Sequence, residues 1–152
     1  MDIYQIKDLI SGACGMMNCT RNVFGTDVLK RTFEDKNFAS DLKQIIDPRN
    51  NFLIVTSKSK YEIETQGLDF NFIITSVEKS LDGKIHYVEI NSEIQDNLQF
   101  YQNVDSESKD IYDENLVYCL TTNSVFLTED DKTKRNCKKT RCKINEKIGA
   151  SI

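Results

Sequence analysis

Apolar residues in the first third of the chain recur at helical spacing. In the stretch DIYQIKDLI, Ile3, Ile6, Leu9 and Ile10 fall on one side of a helix. The longer stretch GTDVLKRTFEDKNFASDLKQII carries a second apolar stripe and is followed by Pro48, which favours a helix end. The NCTRN segment between these stretches is typical of a loop. The pattern therefore predicts two or three helices at the start of the chain.

From residue 51 onward, the pattern changes to short runs rich in branched and aromatic residues. These runs are FLIVTS, KYEIET, FNFIITSVEK, KIHYVEI, LQFY, LVYCLTT and SVFLT. Such residues favour strands, and the Asp82-Gly83 dipeptide indicates a hairpin. The chain is therefore predicted to be α+β, with N-terminal helices followed by an antiparallel β-meander. Whether the strands close into a small barrel is left open.

Charge is distributed unevenly along the chain. The 152 residues have a formal net charge of −4, yet residues 132–147 contain eight Lys or Arg and one Glu. Residues 105–114 form the opposite extreme, with five carboxylates and one Lys, and indicate a solvated loop. We predict one α+β domain over residues 1–129 and a disordered basic tail over residues 130–152.

The basic tail indicates nucleic-acid binding, because Lys and Arg neutralise phosphates and release their counterions. Exposed aromatic rings on the strands would add base stacking, and tyrosines with polar neighbours suit this role. The predicted nucleic-acid-binding residues are Lys132, Lys134, Arg135, Lys138, Lys139, Arg141, Lys143, Lys147, Tyr61, Tyr87 and Tyr101. We predict a non-enzymatic protein that binds DNA or RNA, as a single strand or without sequence preference.

A protein-interaction adaptor or regulatory factor is the alternative function class, with another protein as its partner. Asn, Ile and Lys make up 44 of the 152 residues, a bias typical of AT-rich coding sequences such as those of some viruses and plasmids. Salt distinguishes the two classes, since binding through phosphates weakens steeply with salt and binding through apolar surface does not.

The remaining sequence features restrict location and chemistry. The chain has no apolar run of 18 residues, which disfavours a membrane partner, and its start lacks the positive charge of a secretory signal. The odd count of five cysteines favours a reducing, intracellular compartment, either the cytoplasm or the nucleus.

Neither a metal site nor a catalytic site is predicted. Cys14 and Cys19, like Cys137 and Cys142, have C-x4-C spacing, whereas structural zinc sites usually have C-x2-C knuckles. His86 is the only imidazole, and no glycine-rich phosphate-binding motif occurs. We therefore expect no catalytic residue, metal or cofactor.

Overall fold

The computed structural model describes residues 4–5, 20–46, 51–91, 96, 114–131, 133 and 135. The elements with described bounds are five strands and five helices. In chain order they are β1 (Tyr4–Gln5), β2 (Thr20–Phe24), α1 (Thr26–Glu34), α2 (Lys36–Ile45), β3 (Asn51–Thr56), α3 (Ser57–Thr65), α4 (Phe70–Leu81), β4 (Ile85–Val88), α5 (Glu114–Thr122) and β5 (Val125–Thr128).

The strands form one sheet in the order β1-β5-β2-β3-β4. The four strands β5, β2, β3 and β4 are parallel, and the short edge strand β1 is antiparallel to β5, with Tyr4 opposite Thr128. The predicted antiparallel meander is therefore wrong. Parallel neighbours need long crossover connections, usually helices, and segments that were predicted to be strands form these helices.

The sheet carries a hydrophobic core on each face. Alternate strand residues point to opposite sides, so Val55 belongs to one core and Ile54 to the other. The first core joins the sheet to α1, α2, α3 and α4, through side chains such as Phe38 and Val77. The second joins the opposite face to α5, through residues such as Leu116. Helices on both faces bury the parallel sheet, as such sheets require.

Three of the predicted strands are helices: KYEIET lies in α3, FNFIITSVEK in α4 and LVYCLTT in α5. In α3 and α4, capping outweighs the strand preference of the residues. The Asp69 carboxylate accepts a hydrogen bond from the Phe72 amide and starts α4. Asp82 adopts a left-handed conformation (φ 51°) and ends that helix, so the Asp82-Gly83 pair terminates α4 instead of forming a hairpin.

The helical stretch after residue 25 is confirmed, as two helices. Asp35 separates them, because it ends α1 and its carboxylate caps α2 by accepting from the Asn37 and Phe38 amides. The runs FLIVTS, KIHYVEI and SVFLT do contain strands, as predicted.

Two predictions for the beginning of the chain are wrong. Tyr4–Gln5, expected in a helix, is a strand, and the predicted loop NCTRN contributes residues to the central strand β2. The LQFY run lies outside the described residues, as do residues 105–113 of the acidic segment. No helix in the described ranges is long and apolar enough to cross a membrane.

Candidate functional site

The order of the strands creates a crevice between β2 and β5. The chain runs from β2 to β3 and then to β4 on one side, and it returns through α5 to place β5 against the other side of β2. The carboxyl end of β2, from which the chain moves to β3 on one side, therefore lies beside the carboxyl end of β5 on the other side. In parallel α/β sheets, ligands bind at such a switch point, outside the carboxyl ends of the strands.

A pocket of about 440 Å³ lies at this switch point. Its walls come from the residues that follow β2 and β5, and its remaining lining comes from α3, α5 and the sheet. The lining residues are Gly25, Thr26, Asp27, Glu62, Asn115, Phe126, Thr128, Glu129, Asp130 and Thr133. The volume falls within the range that small-ligand sites in proteins usually have.

Gly25 allows the two walls of the pocket to meet. Its amide donates to the Leu127 carbonyl oxygen over 2.8 Å. A Cβ atom at this position would lie 2.9 Å from that same oxygen and 2.6 Å from a carboxylate oxygen of Asp27. A side chain here would force the start of α1 away from the end of β5, so the residue type sets the shape of the crevice.

The Asp27 carboxylate joins the same two walls. It accepts hydrogen bonds from the Thr128 hydroxyl over 3.2 Å and from the Glu129 amide over 2.9 Å. Glu129 in turn pairs with Arg31, whose guanidinium lies 4.4 Å from the centre of the Phe38 ring. These contacts fix the end of β5 against the first turns of α1.

A buried hydrogen-bond network positions the side chains next to the pocket. The Thr56 hydroxyl donates to the Asn115 side-chain oxygen, and the Asn115 amide group donates to the Ser59 hydroxyl over 3.1 Å. Thr26 contacts both the Ser59 hydroxyl (3.0 Å) and a Glu62 carboxylate oxygen (3.1 Å). Four elements, β3, α3, α5 and α1, are thereby held together below the pocket.

The described lining is strongly acidic. It contains the carboxylates of Asp27, Glu62, Glu129 and Asp130 and no Lys or Arg. Such a surface attracts cations and hydrogen-bond donors and repels free phosphate. Among the described residues, no three His, Cys, Asp or Glu side chains converge closely enough to form a metal-binding group.

The first residues of the predicted basic tail form part of this pocket. The Asp130 carboxylate accepts from the Thr133 amide (3.2 Å) and from its hydroxyl (2.7 Å), and Thr133 is buried. Arg135 is exposed just beyond the pocket lining. The other predicted tail cations lie outside the described residues: Lys132, Lys134, Lys138, Lys139, Arg141, Lys143 and Lys147. The prediction of disorder for residues 136–152 also falls outside the described residues.

The two predicted tyrosines that are described lie near the same edge of the sheet. Tyr61 is 67% exposed in α3, the helix that begins directly after the carboxyl end of β3. Tyr87 is 43% exposed near the carboxyl end of β4. The Lys60 ammonium lies 5.6 Å from the centre of the Tyr87 ring. Neither tyrosine lines the pocket, and Tyr101 lies outside the described residues.

The surroundings of the Tyr87 phenol favour its neutral form. Burial raises its pKa, and the nearby Glu89 carboxylate, which accepts a hydrogen bond from the phenol over 3.3 Å, raises it further. Away from this edge, the ring of His86 contacts Phe52 edge to face at 5.5 Å. Of the five cysteines, Cys119 lies among the described residues, and its side chain is buried.

The pocket was missed in the sequence, although a signal for it exists. Polar residues follow directly after two apolar strand runs, as Thr26-Asp27 after VFG and as Glu129-Asp130 after VFLT. Once the strands are known to be parallel neighbours, both polar pairs must lie at one edge of the sheet. The antiparallel prediction concealed this relation.

No protein-family model, curated protein or solved structure matches this chain.

Proposed function

We propose that the protein binds nucleic acid along the carboxyl edge of its sheet, with the basic tail contacting the phosphates. One observation carries this proposal: the tail starts at the switch-point pocket, where Asp130 and Thr133 form part of the lining and Arg135 is exposed. The cations are therefore tethered to the edge at which parallel α/β proteins bind their ligands.

Further groups at this edge support the proposal. Lys58, Lys60 and Tyr61 lie in the first two turns of α3, directly after β3. The exposed Tyr61 ring offers a surface on which a base can stack, which is worth about 1–3 kcal/mol per base. Since the pocket lining is acidic, the phosphates would contact the tail and α3, not the pocket itself.

The dependence of binding on salt tests the proposal. Fluorescence polarisation of labelled single-stranded DNA, duplex DNA and RNA of equal length measures affinity across a salt series. If about five tail cations contact single-stranded phosphates, the slope of log K against log salt is about −3.5. The triple variant Lys138→Ala, Lys139→Ala, Arg141→Ala should flatten this slope by about 2 and weaken binding to all sequences alike.

A matched control separates position from net charge. Lys43 lies in the last turn of α2, Lys79 in the last turn of α4 and Lys84 directly before β4, so all three lie towards the amino edge of the sheet. Replacing these three with Ala removes the same charge and should leave the slope near that of the wild type. An equal loss in both variants contradicts a site at the carboxyl edge. If the wild-type protein binds none of the three nucleic acids at low salt, the result supports the adaptor class instead.

A second candidate function is hydrolysis of a phosphodiester with a divalent cation, and the acidic pocket favours it. Carboxylate and hydroxyl oxygens are the ligands that Mg²⁺ prefers. Because no three carboxylates converge among the described residues, the cation would take one or two of them and complete its shell with water and phosphate oxygens. This candidate departs from the sequence-based prediction of a non-enzymatic protein.

End-labelled oligonucleotides incubated with Mg²⁺ or Mn²⁺ test the second candidate. Cleavage that requires the cation and is lost in Glu62→Gln would favour hydrolysis. The control is Glu34→Gln, an exposed carboxylate in the last turn of α1 that does not line the pocket. If the protein binds the oligonucleotides and does not cleave them, the result contradicts hydrolysis and supports binding.

A further inference from the structure

We propose that Thr128 is a positioning residue for nucleic-acid binding, because its hydroxyl anchors the first turn of the basic tail to α1. The anchor fixes the place from which the tail reaches phosphates. This positioning role rests on the proposed function. The anchoring itself does not rest on it, and the two are tested by separate measurements below.

The Thr128 hydroxyl links α1 to the chain beyond β5. Thr128 is buried and is the last residue of β5. Its hydroxyl donates to the Asp27 carboxylate over 3.2 Å and accepts from the Asp130 amide over 3.0 Å. The same carboxylate accepts from the Glu129 amide over 2.9 Å. The chain that leaves β5 is therefore bonded to the folded body at two successive amides.

The next link is a helix cap. The Asp130 carboxylate accepts from the Thr133 amide over 3.2 Å, which is the arrangement of a helix N-cap with the third residue of its helix. The backbone is helical at Asp131, Thr133 and Arg135. Thr133 is buried whereas Asp131 and Arg135 are exposed, so this turn packs one side against the body. The basic tail thus begins as a capped and packed turn.

Such an anchor should strengthen phosphate binding. A group that is ordered only on binding weakens affinity, by roughly 2- to 13-fold for one flexible side chain. The anchor orders the backbone up to the exposed Arg135 before nucleic acid arrives. Without the anchor, the same cations would still contact phosphates, but binding would have to order this turn as well.

Two pairs of variants isolate the anchor. Thr128→Val keeps the branched shape and removes the hydroxyl, whereas Thr128→Ser keeps the hydroxyl. Asp130→Ala removes both the cap and a charge, whereas Asp130→Asn removes the charge and keeps an acceptor for the Thr133 amide. The control is Thr75→Val, at an exposed position of α4 where the hydroxyl bonds the Asn71 carbonyl in the same helix.

Amide hydrogen exchange followed by NMR tests the anchor without nucleic acid. In the wild type, the Asp130 and Thr133 amides should exchange more slowly than in an unstructured peptide. Thr128→Val should speed exchange at Asp130 by roughly 2- to 13-fold, the net strength of one hydrogen bond. Thr128→Ser and Thr75→Val should retain the protection. Unprotected amides in the wild type, or equal exchange in the Val and Ser variants at position 128, would overturn the inference.

Fluorescence polarisation across a salt series tests the positioning role. Thr128→Val should weaken binding to single strands by roughly 2- to 13-fold at every salt concentration. The slope of log K against log salt should stay at the wild-type value, because no cation is lost. Thr128→Ser should restore the affinity, and Asp130→Ala should bind more weakly than Asp130→Asn. By contrast, Arg135→Ala removes a cation and should flatten the slope by about 0.7.

The outcomes separate the inference from the proposed function. Wild-type affinity in Thr128→Val, with equal affinity in the two Asp130 variants, would overturn the positioning role while binding by the wild type still supports the proposed function. A flattened slope in Thr128→Val would also overturn it, since cations would then have lost their contacts. Protected amides in a protein that binds no oligonucleotide would establish the anchor and refute both the proposed function and the positioning role.

Discussion

Replacing Asn115 with Ala tests whether the buried network below the pocket stabilises the fold. Asn115 is 1% exposed and is the second residue of α5. The substitution removes the acceptor of the Thr56 hydroxyl, and an unsatisfied buried polar group costs about 1–3 kcal/mol. It also removes the hydrogen bond to Ser59, worth about 0.5–1.5 kcal/mol. We expect the free energy of unfolding to fall by about 2–4 kcal/mol.

Urea denaturation followed by circular dichroism measures this loss, with the m-value checked for two-state behaviour. The matched control is Asn71→Ala. Asn71 is the second residue of α4 and is exposed, so the same substitution at the same helix position should change the stability by less than about 0.5 kcal/mol. If the two variants unfold at the same urea concentration, the network contributes nothing and the reasoning fails.

Three other substitutions test the walls of the pocket and the edge of the sheet. Gly25→Ala should cost about 1–3 kcal/mol of stability through the clash with the Leu127 carbonyl, whereas Gly67→Ala, which meets no atom within 4 Å at φ 77°, should cost about 1 kcal/mol and leave ligand binding unchanged. Urea denaturation distinguishes them, and equal losses would contradict the steric argument. Asp27→Ala should lower stability by about 0.5–1.5 kcal/mol, because the exposed Glu129 amide exchanges this hydrogen bond for one to water; an unchanged urea midpoint would refute this. Tyr61→Ala should leave stability within about 0.5 kcal/mol and weaken single-strand binding by about 1–3 kcal/mol in a polarisation assay, so unaltered affinity would remove the ring from the interface.

Periodicity was informative where a segment is half-buried. The stripe through α1 and α2 indicated helices correctly, because each buries only one face. For α4, the strand preference of aromatic and branched residues led to the wrong prediction. The buried positions of that helix, Phe70, Ile73, Val77 and Leu81, nevertheless repeat at three and four residues, and Asp69 supplies a cap. Weighting the cap and this spacing above residue preference would have identified the helix.

The site was less accessible to sequence reasoning than the elements were. Asp27 and Asp130 are 103 positions apart, and they line one pocket only because β5 returns to pair with β2. This long-range pairing leaves no local pattern in the residues. The tail cations, by contrast, were identified directly from composition, yet composition could not indicate that the tail begins at a pocket of opposite charge.

The position of β5 affects how the protein emerges from the ribosome. β5 is the last described strand to be synthesised, yet it lies inside the sheet, between β1 and β2. Until residues 125–128 have been made, β2 lacks the neighbour that would pair with its second edge, and β1 lacks the strand to which it is hydrogen-bonded. A nascent chain halted between residues 57 and 124 therefore presents open strand edges, which are templates for association with other chains. Premature termination in this interval should yield aggregation-prone fragments, not a smaller folded domain.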